Sequence, residues 1–230
     1  MAAARRESDR RGVFAIAEPT REELPAVARL LGTTLGFEPA DAVPAWLMLT
    51  AADCGGLVLV ARHGGEVVGA SFAIAAVRDG EPQLFSCGLA VAPSLRRRGV
   101  GRALKLAQRQ RALARGIDVI RWTADPLNGP GLRLYLSGLG ARLTAYRAEL
   151  YDGLRAGDGV PQDDVEIEWR LADGPVRPAA DRRVVEVPGS GDPLVRRLRV
   201  REAMVGALAD GEIGVGAEPA ADGFLVRFAR

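Results

Sequence analysis

Residues Gln83 to Arg115 leave room for one local structure: a strand that turns sharply and opens a helix. Gln83 to Val91 is an apolar run of strand length, and Ala92, Pro93 and Ser94 break it. From Val100 the spacing changes to that of a helix, with Val100, Ala103, Leu104, Ala107 and Ala114 on one stripe. Arg102, Lys105 and Arg109 share another face. A glycine-bearing turn between strand and helix gathers unpaired backbone N–H groups at the positive end of the helix dipole. Such a point binds phosphate, and Arg96, Arg97 and Arg98 beside it argue against an uncharged ligand. The alternative is a tight turn made by Gly99 and Gly101, with the arginines as a solvated face.

Other phosphate-binding turns fit less well. No Gly-Lys-Ser/Thr follows the glycines, so this is not a Walker loop. A dinucleotide fingerprint would need Gly or Ala where Leu104 stands. The run Arg96-Arg97-Arg98-Gly99-Val100-Gly101 resembles the Arg/Gln-x-x-Gly-x-Gly/Ala turn of the GNAT acyltransferases, and the resemblance extends over about residues 12–170. In that family the turn holds the pyrophosphate of coenzyme A through backbone amides. The preceding strand carries a bulge whose free N–H groups face the pantetheine and the thioester. The resemblance therefore implies CoA contacts from Arg96, Arg97, Arg98, Gly99, Val100 and Gly101, with Arg96 or Arg102 reaching the 3′-phosphate. It also implies oxyanion donors at Leu89, Ala90 and Val91.

Asn128, Gly131, Tyr135 and Leu139-Gly140 resemble the second GNAT motif, N-x-x-A-x-x-x-Y-x-x-x-G-F, with Gly131 for Ala and the last glycine one residue late. By that likeness Asn128 joins the CoA-binding set and Tyr135 is the candidate proton donor to the leaving thiolate, a core tyrosine being the alternative. The base is open among Asp125 at a strand end, Glu81, Gln83 and a water chain, and Asp125 before Pro126 also reads as a turn residue. The run Trp122-Thr123-Ala124-Asp125-Pro126-Leu127 resembles a group of GNAT proteins with a long C-terminal part, some linked to succinyl and other acyl groups.

Around this centre the chain reads as an α/β protein. Phe14–Glu18 is a short strand, and Thr20 with Glu23 forms a capping box for a helix to about Leu35. A second helix is expected near Pro44 with Trp46, Leu47 and Leu49. In GNAT folds this pair overlies the acceptor site, making Phe37 and Trp46 candidates for its wall, with ordinary core packing the alternative. Leu57–Arg62 and Glu66–Val77 read as a hairpin across His63-Gly64-Gly65, followed by the central strand and a fifth strand at Ile117–Thr123. The resemblance implies a mixed, mostly antiparallel sheet with a V-shaped split between the fourth and fifth strands, flanked by helices. A helix from about Gly129 to Gly138 and strands at Ala141–Leu150 and Val165–Arg170 complete it. Residues 171–230 read as a small α+β extension docked on the core: a linker, a strand at Arg183–Val187, a helix capped by Asp192, and a hairpin. Leu194, Leu198, Val205 and Leu208 form the helix's expected apolar stripe. Residues 1–11 lack an apolar core and are expected to be a disordered tail rather than a signal peptide.

Composition prunes the functions. Apolar content of 48% with 26% charged residues excludes a disordered chain. A net charge of +2 and 5% aromatic residues argue against nucleic acid as a partner. The single histidine, His63, rules out a multi-histidine metal site, and no acidic cluster suggests another metal. Cys54 and Cys87 lack metal spacing and read as reduced and buried, pointing to a cytoplasmic protein. No run is long enough for a membrane span. The expected activity is transfer of an acyl group, acetyl above all, from a CoA thioester to the amine of a small molecule or amino acid. Other acyl groups, or a non-catalytic acyl-CoA sensor, are the alternatives, and exposed sheet edges leave a homodimer open.

Overall fold

The computed structural model describes residues 14–39, 41–154, 159–174 and 183–230. The tail expected over 1–11 and part of the linker expected over 171–193 lie outside them. The chain divides into two compact units, Met1–Ile120 and Arg121–Arg230. Among the described residues no helix is long and apolar enough to cross a membrane.

In the first unit β1 (Ala15–Ala17), β2 (Leu57–His63), β3 (Glu66–Arg78) and β4 (Glu81–Val91) pair antiparallel in chain order. Alternation along β2 sends Val58 and Val60 to one face and Leu59 and Ala61 to the other. Helices α1 (Leu24–Leu35) and α2 (Ala45–Asp53) cover the first face through Leu24, Val27, Leu31 and Met48. Helix α3 (Val100–Leu113) covers the second through Val100, Leu104 and Ala107. With both faces covered, β2 is buried from Leu57 to Ala61.

The capping box is present: the Thr20 amide donates to Glu23 Oε2 at 2.7 Å. Glu23 also takes a 2.7 Å bond from Arg62 Nε on β2, which ties the helix entry to the sheet. The Arg62 hydrogen bond, then the Thr20 amide, push the Glu23 carboxyl down to about 2. Because its folded value lies below its unfolded one, this group stabilises above pH 4.5 and the gain is lost as pH falls through 2. The pair is 21% and 23% exposed, so after screening about 1 kcal/mol is expected. Urea unfolding of Glu23→Gln should show that loss at pH 7 and a much smaller one near pH 2. An equal loss at both would mean the charge contributes nothing.

The second unit contains most of β5 (Val119–Ala124), then α4, which is α-helical over Gly129–Leu132 and π-helical over Arg133–Gly138. Strands β6 (Arg142–Arg147), β7 (Asp164–Arg170) and β8 (Arg183–Val187) follow, then α5 (Pro193–Ala209), β9 (Ile213–Pro219) and β10 (Phe224–Ala229). Strand order is β5-β7-β6-β9-β10-β8, and the β6–β7, β6–β9, β9–β10 and β10–β8 pairs are antiparallel. Thus the expected α/β architecture with a mostly antiparallel sheet is present, and the C-terminal segment contributes strands to it.

Two expectations need correction. Helix α5 starts as expected, with Asp192 Oδ1 accepting from the Val195 amide at 2.9 Å and Pro193 at the first position. Its buried residues, however, are Arg197, Val200, Met204 and Ala207, while Leu194, Leu198 and Val205 are exposed. The helix carries apolar residues on both sides, so periodicity alone did not choose the face; the inward side packs Val200, Met204 and Ala207 and carries the Arg197–Asp125 and Arg201–Asp163 ion pairs. Cys54, expected to be buried, is exposed just beyond the end of α2, and Cys87 is half-buried; both are free thiols.

Candidate functional site

The turn between β4 and α3, expected to hold phosphate, has the form its sequence requires. The Ala92 amide bonds Val68 O at 2.8 Å, which ends the β3–β4 ladder, and Pro93–Leu95 make one 3-10 turn. Arg96 is extended, Arg97 has φ 61°, and Gly99 has φ 85° at the N-cap of α3. A residue with a β-carbon is strained at that φ, so glycine sets the angle at which the chain enters the helix. No side chain caps α3. The amides of Val100, Gly101 and Arg102, its first three positions, have no partner carbonyl within the helix and point out of its mouth. Arg96, Arg97, Arg98, Gly99 and Arg102 are exposed around them, and Arg96 Nε folds back onto Val91 O at 3.3 Å. The turn thus offers backbone donors and guanidinium groups together, a donor set suited to a diphosphate.

Upstream, β4 carries a bulge. Phe72 pairs with Gly88 and Ala73 with Ser86, so Cys87 is the surplus residue. Leu89, Ala90 and Val91, the expected oxyanion donors, pair in register with Ser71, Ala70 and Gly69. The irregularity therefore lies at Cys87 and not at those three residues.

Sequence pattern placed Lys105 on one face with Arg102 and Arg109. The structure separates them: Lys105 is 1% exposed beneath β4, and Arg102 faces out. Lys105 Nζ donates to Ser86 Oγ at 2.9 Å and to Gln108 Oε1 at 3.2 Å, and Gln108 Nε2 reaches Ser86 Oγ at 3.4 Å. Burial pushes the ammonium down to about 7, and burial likewise raises the Cys87 thiol. The signal that could have found this site is composition: Lys105 is the only lysine in a chain with 31 lysines and arginines. An arginine stays charged, whereas a lysine can be buried neutral.

In the second unit Asp125, Asn128 and Tyr135 lie along one turn and the helix it opens. Asp125 Oδ1 accepts from the Leu127 amide at 2.8 Å and from Arg197 Nη1 at 2.7 Å. Asn128 Oδ1 caps α4 by accepting from the Gly131 amide at 3.1 Å. Tyr135 sits in the π-helical turn, its ring edge-on to Trp122 with centroids 5.0 Å apart. Burial pushes its phenol up to about 12, so it stays protonated at neutral pH. The π-helical turn also accounts for the late glycine: each i→i+5 step takes in one residue more than an α-helical one. The Ala141 amide bonds Tyr135 O at 3.0 Å as the turn closes.

A family model described as the acetyltransferase (GNAT) family matches residues 24–141, a span that includes the phosphate turn, α3, the Asp125 turn and Tyr135. The chain belongs to the GNAT family. Solved structures with the same fold agree with that membership. A putative acetyltransferase from Salmonella typhimurium, determined with its cofactor acetyl-CoA, superposes at TM-score 0.58 with 18% identity, covering 73% of this chain and 99% of its own. A GNAT acetyltransferase from Elizabethkingia anophelis with acetyl-CoA bound gives TM-score 0.54 and 18% identity, with 68% and 97% covered. The ribosomal-protein-S18-alanine N-acetyltransferase of Escherichia coli gives TM-score 0.54 and 19% identity, with 70% and 96% covered. These neighbours are matched almost end to end, so about a quarter or more of this GNAT chain has no counterpart in them. No curated protein matches the sequence.

Proposed function

We propose that this GNAT acetyltransferase moves an acyl group, acetyl first among them, from a CoA thioester to the amine of a small molecule or amino acid by direct attack. The observation that carries the reading is the uncapped mouth of α3, with free first-turn amides behind Gly99 and exposed arginines around them. Two structural neighbours were solved with acetyl-CoA, which supports the same cosubstrate here. In this reading the Val100, Gly101 and Arg102 amides grip the pyrophosphate, and Arg96, Arg97 and Arg98 add charge-assisted bonds. Asn128, whose Oδ1 is engaged as a helix cap, keeps its amide nitrogen for a contact with the cosubstrate. Of Leu89, Ala90 and Val91, which pair with β3, those whose amides turn away from β3 bind the thioester oxygen as it gains charge, a role in which one donor is worth about 3 kcal/mol.

Tyr135 supplies the proton to the departing thiolate; it is a phenol in a half-buried site and is protonated throughout the working range. Oδ1 of Asp125 holds the turn through Leu127 and Arg197, while Oδ2 of its 48% exposed side chain keeps Asp125, with Glu81, Gln83 and a water chain, among the acceptors for the amine's proton. Holding amine and thioester together provides much of the rate by itself. Trp46, 67% exposed, is the aromatic residue offered to an acceptor from the α1–α2 layer.

The test is thiol release from acetyl-CoA and succinyl-CoA against a broad panel of amines and amino acids. Release above hydrolysis with at least one amine is expected. Stabilisation by CoA without consumption of thioester by any acceptor would make the protein a sensor instead. Tyr135→Phe should lower kcat about 100-fold and leave KM for acetyl-CoA within about twofold. An unchanged kcat would remove the phenol from the chemistry.

A further inference from the structure

The C-terminal helix α5 reaches into the turn that precedes Tyr135. Arg197, whose side chain is 10% exposed, donates through Nη1 to Asp125 Oδ1 at 2.7 Å and to Asp163 O at 3.3 Å. The same Asp125 oxygen takes the Leu127 amide, and the Asn128 amide bonds Asp125 O at 3.0 Å. Asn128 then caps the helix that carries Tyr135. A buried guanidinium thus bears directly on the four-residue link between Trp122's strand and Tyr135's helix.

The far side of that helix is tied to the same C-terminal segment. Ser137 Oγ, two residues past Tyr135, donates to Ala217 O at 2.8 Å and accepts from Ala217 N at 2.9 Å. At the helix start, a β-carbon on Gly129 would lie 2.3 Å from Phe224 Cδ1, so the backbone there rests against the β10 side chain. Tyr135 lies between these anchors.

Stability alone is a poor account of Arg197. Its Nε is buried without a hydrogen-bond partner, and a buried charge with an unsatisfied donor costs more than a well-packed apolar side chain. We propose that Arg197 is a positioning residue for Tyr135: by clamping Asp125 it fixes where the tyrosine's helix begins and so where the phenol stands. The C-terminal segment is then part of the catalytic apparatus, holding a group that does not belong to it. This rests on the reading of Tyr135 as the proton donor.

The full-length protein carries the test through Arg197→Met and Arg197→Lys. The edge-on Trp122–Tyr135 pair gives a near-ultraviolet circular dichroism band, defined as the part lost in Tyr135→Phe. Arg197→Met is expected to lose at least half of that band and about tenfold in kcat, with KM for acetyl-CoA within twofold. Arg197→Lys, which keeps a cation for Asp125, should restore most of both. If far-ultraviolet spectra show Arg197→Met unfolded, Asp125→Asn replaces it, since it keeps an oxygen for Leu127 and loses the charge pair. A band and kcat unchanged in the folded variant would overturn the proposal. If Tyr135→Phe itself leaves kcat unchanged while Arg197→Met loses the band, the placement stands and only the proton-donor reading falls.

Discussion

Gly99→Asp is expected to abolish acyl-CoA binding while leaving the protein folded. Gly99 sits at φ 85°, a conformation in which aspartate is less strained than most residues. Aspartate is also a favoured helix N-cap and is stabilised by the positive end of the dipole. The free protein should therefore melt within a few degrees of the wild type. The new carboxylate would bond the amides otherwise left for phosphate and set a negative charge where the diphosphate must go. Two unit charges about 4 Å apart near a protein surface repel by about 4 kcal/mol, roughly three orders of magnitude in affinity. Calorimetric titration with CoA would measure it, with Gly99→Ala reporting backbone strain without charge. Aspartate at 99 with wild-type CoA affinity would mean the mouth of α3 is not the seat.

Lys105→Met should make the protein more stable at pH 7 and flatten its stability between pH 7 and 10.5. In the folded protein burial holds Lys105 down to about 7, against 10.5 in the unfolded chain. Between those values the unfolded chain binds the extra proton, so wild-type stability climbs with pH across that window. The penalty is fully present below pH 7 and gone above 10.5, with an amplitude of about 3–5 kcal/mol. Methionine fills similar space, cannot protonate, and leaves Ser86 and Gln108 bonded to each other. The two hydrogen bonds lost from Lys105, to Ser86 and Gln108, offset about 1–3 kcal/mol of the gain at pH 7. Lys105→Arg should be the worst variant at every pH, because a guanidinium cannot shed its charge. Urea unfolding of wild type and Lys105→Met at pH 7, 8, 9 and 10 gives the difference directly. A difference that does not change with pH would show that the lysine is charged where it lies.

What could be read from the chain was what neighbouring residues decide among themselves. Thr20 and Glu23 are three apart and close their own cap, Gly99 sets its own angle, and Asp192 with Pro193 starts its own helix. The turn between β4 and α3 is of this kind, which is why its strand–turn–helix form followed from the sequence. What escaped was settled by partners far along the chain. Helix α5 has apolar residues on both sides, and Asp125, 72 residues away from Arg197, helps choose which side turns inward. Lys105 looks like its arginine neighbours until Ser86, 19 residues back, supplies the acceptor that lets it be buried. The late glycine after Tyr135 was visible, but its accommodation by a π-helical turn depends on how Ser137 and Ala141 are held.

That widened turn has a consequence for how such a chain can change. A surplus residue inside an α-helix would swing everything beyond it by about 100°. Here the π-helical stretch from Arg133 to Gly138 takes in the extra residue before β6 begins at Arg142. The widened turn thereby takes up the surplus residue in the same stretch of helix that carries Tyr135.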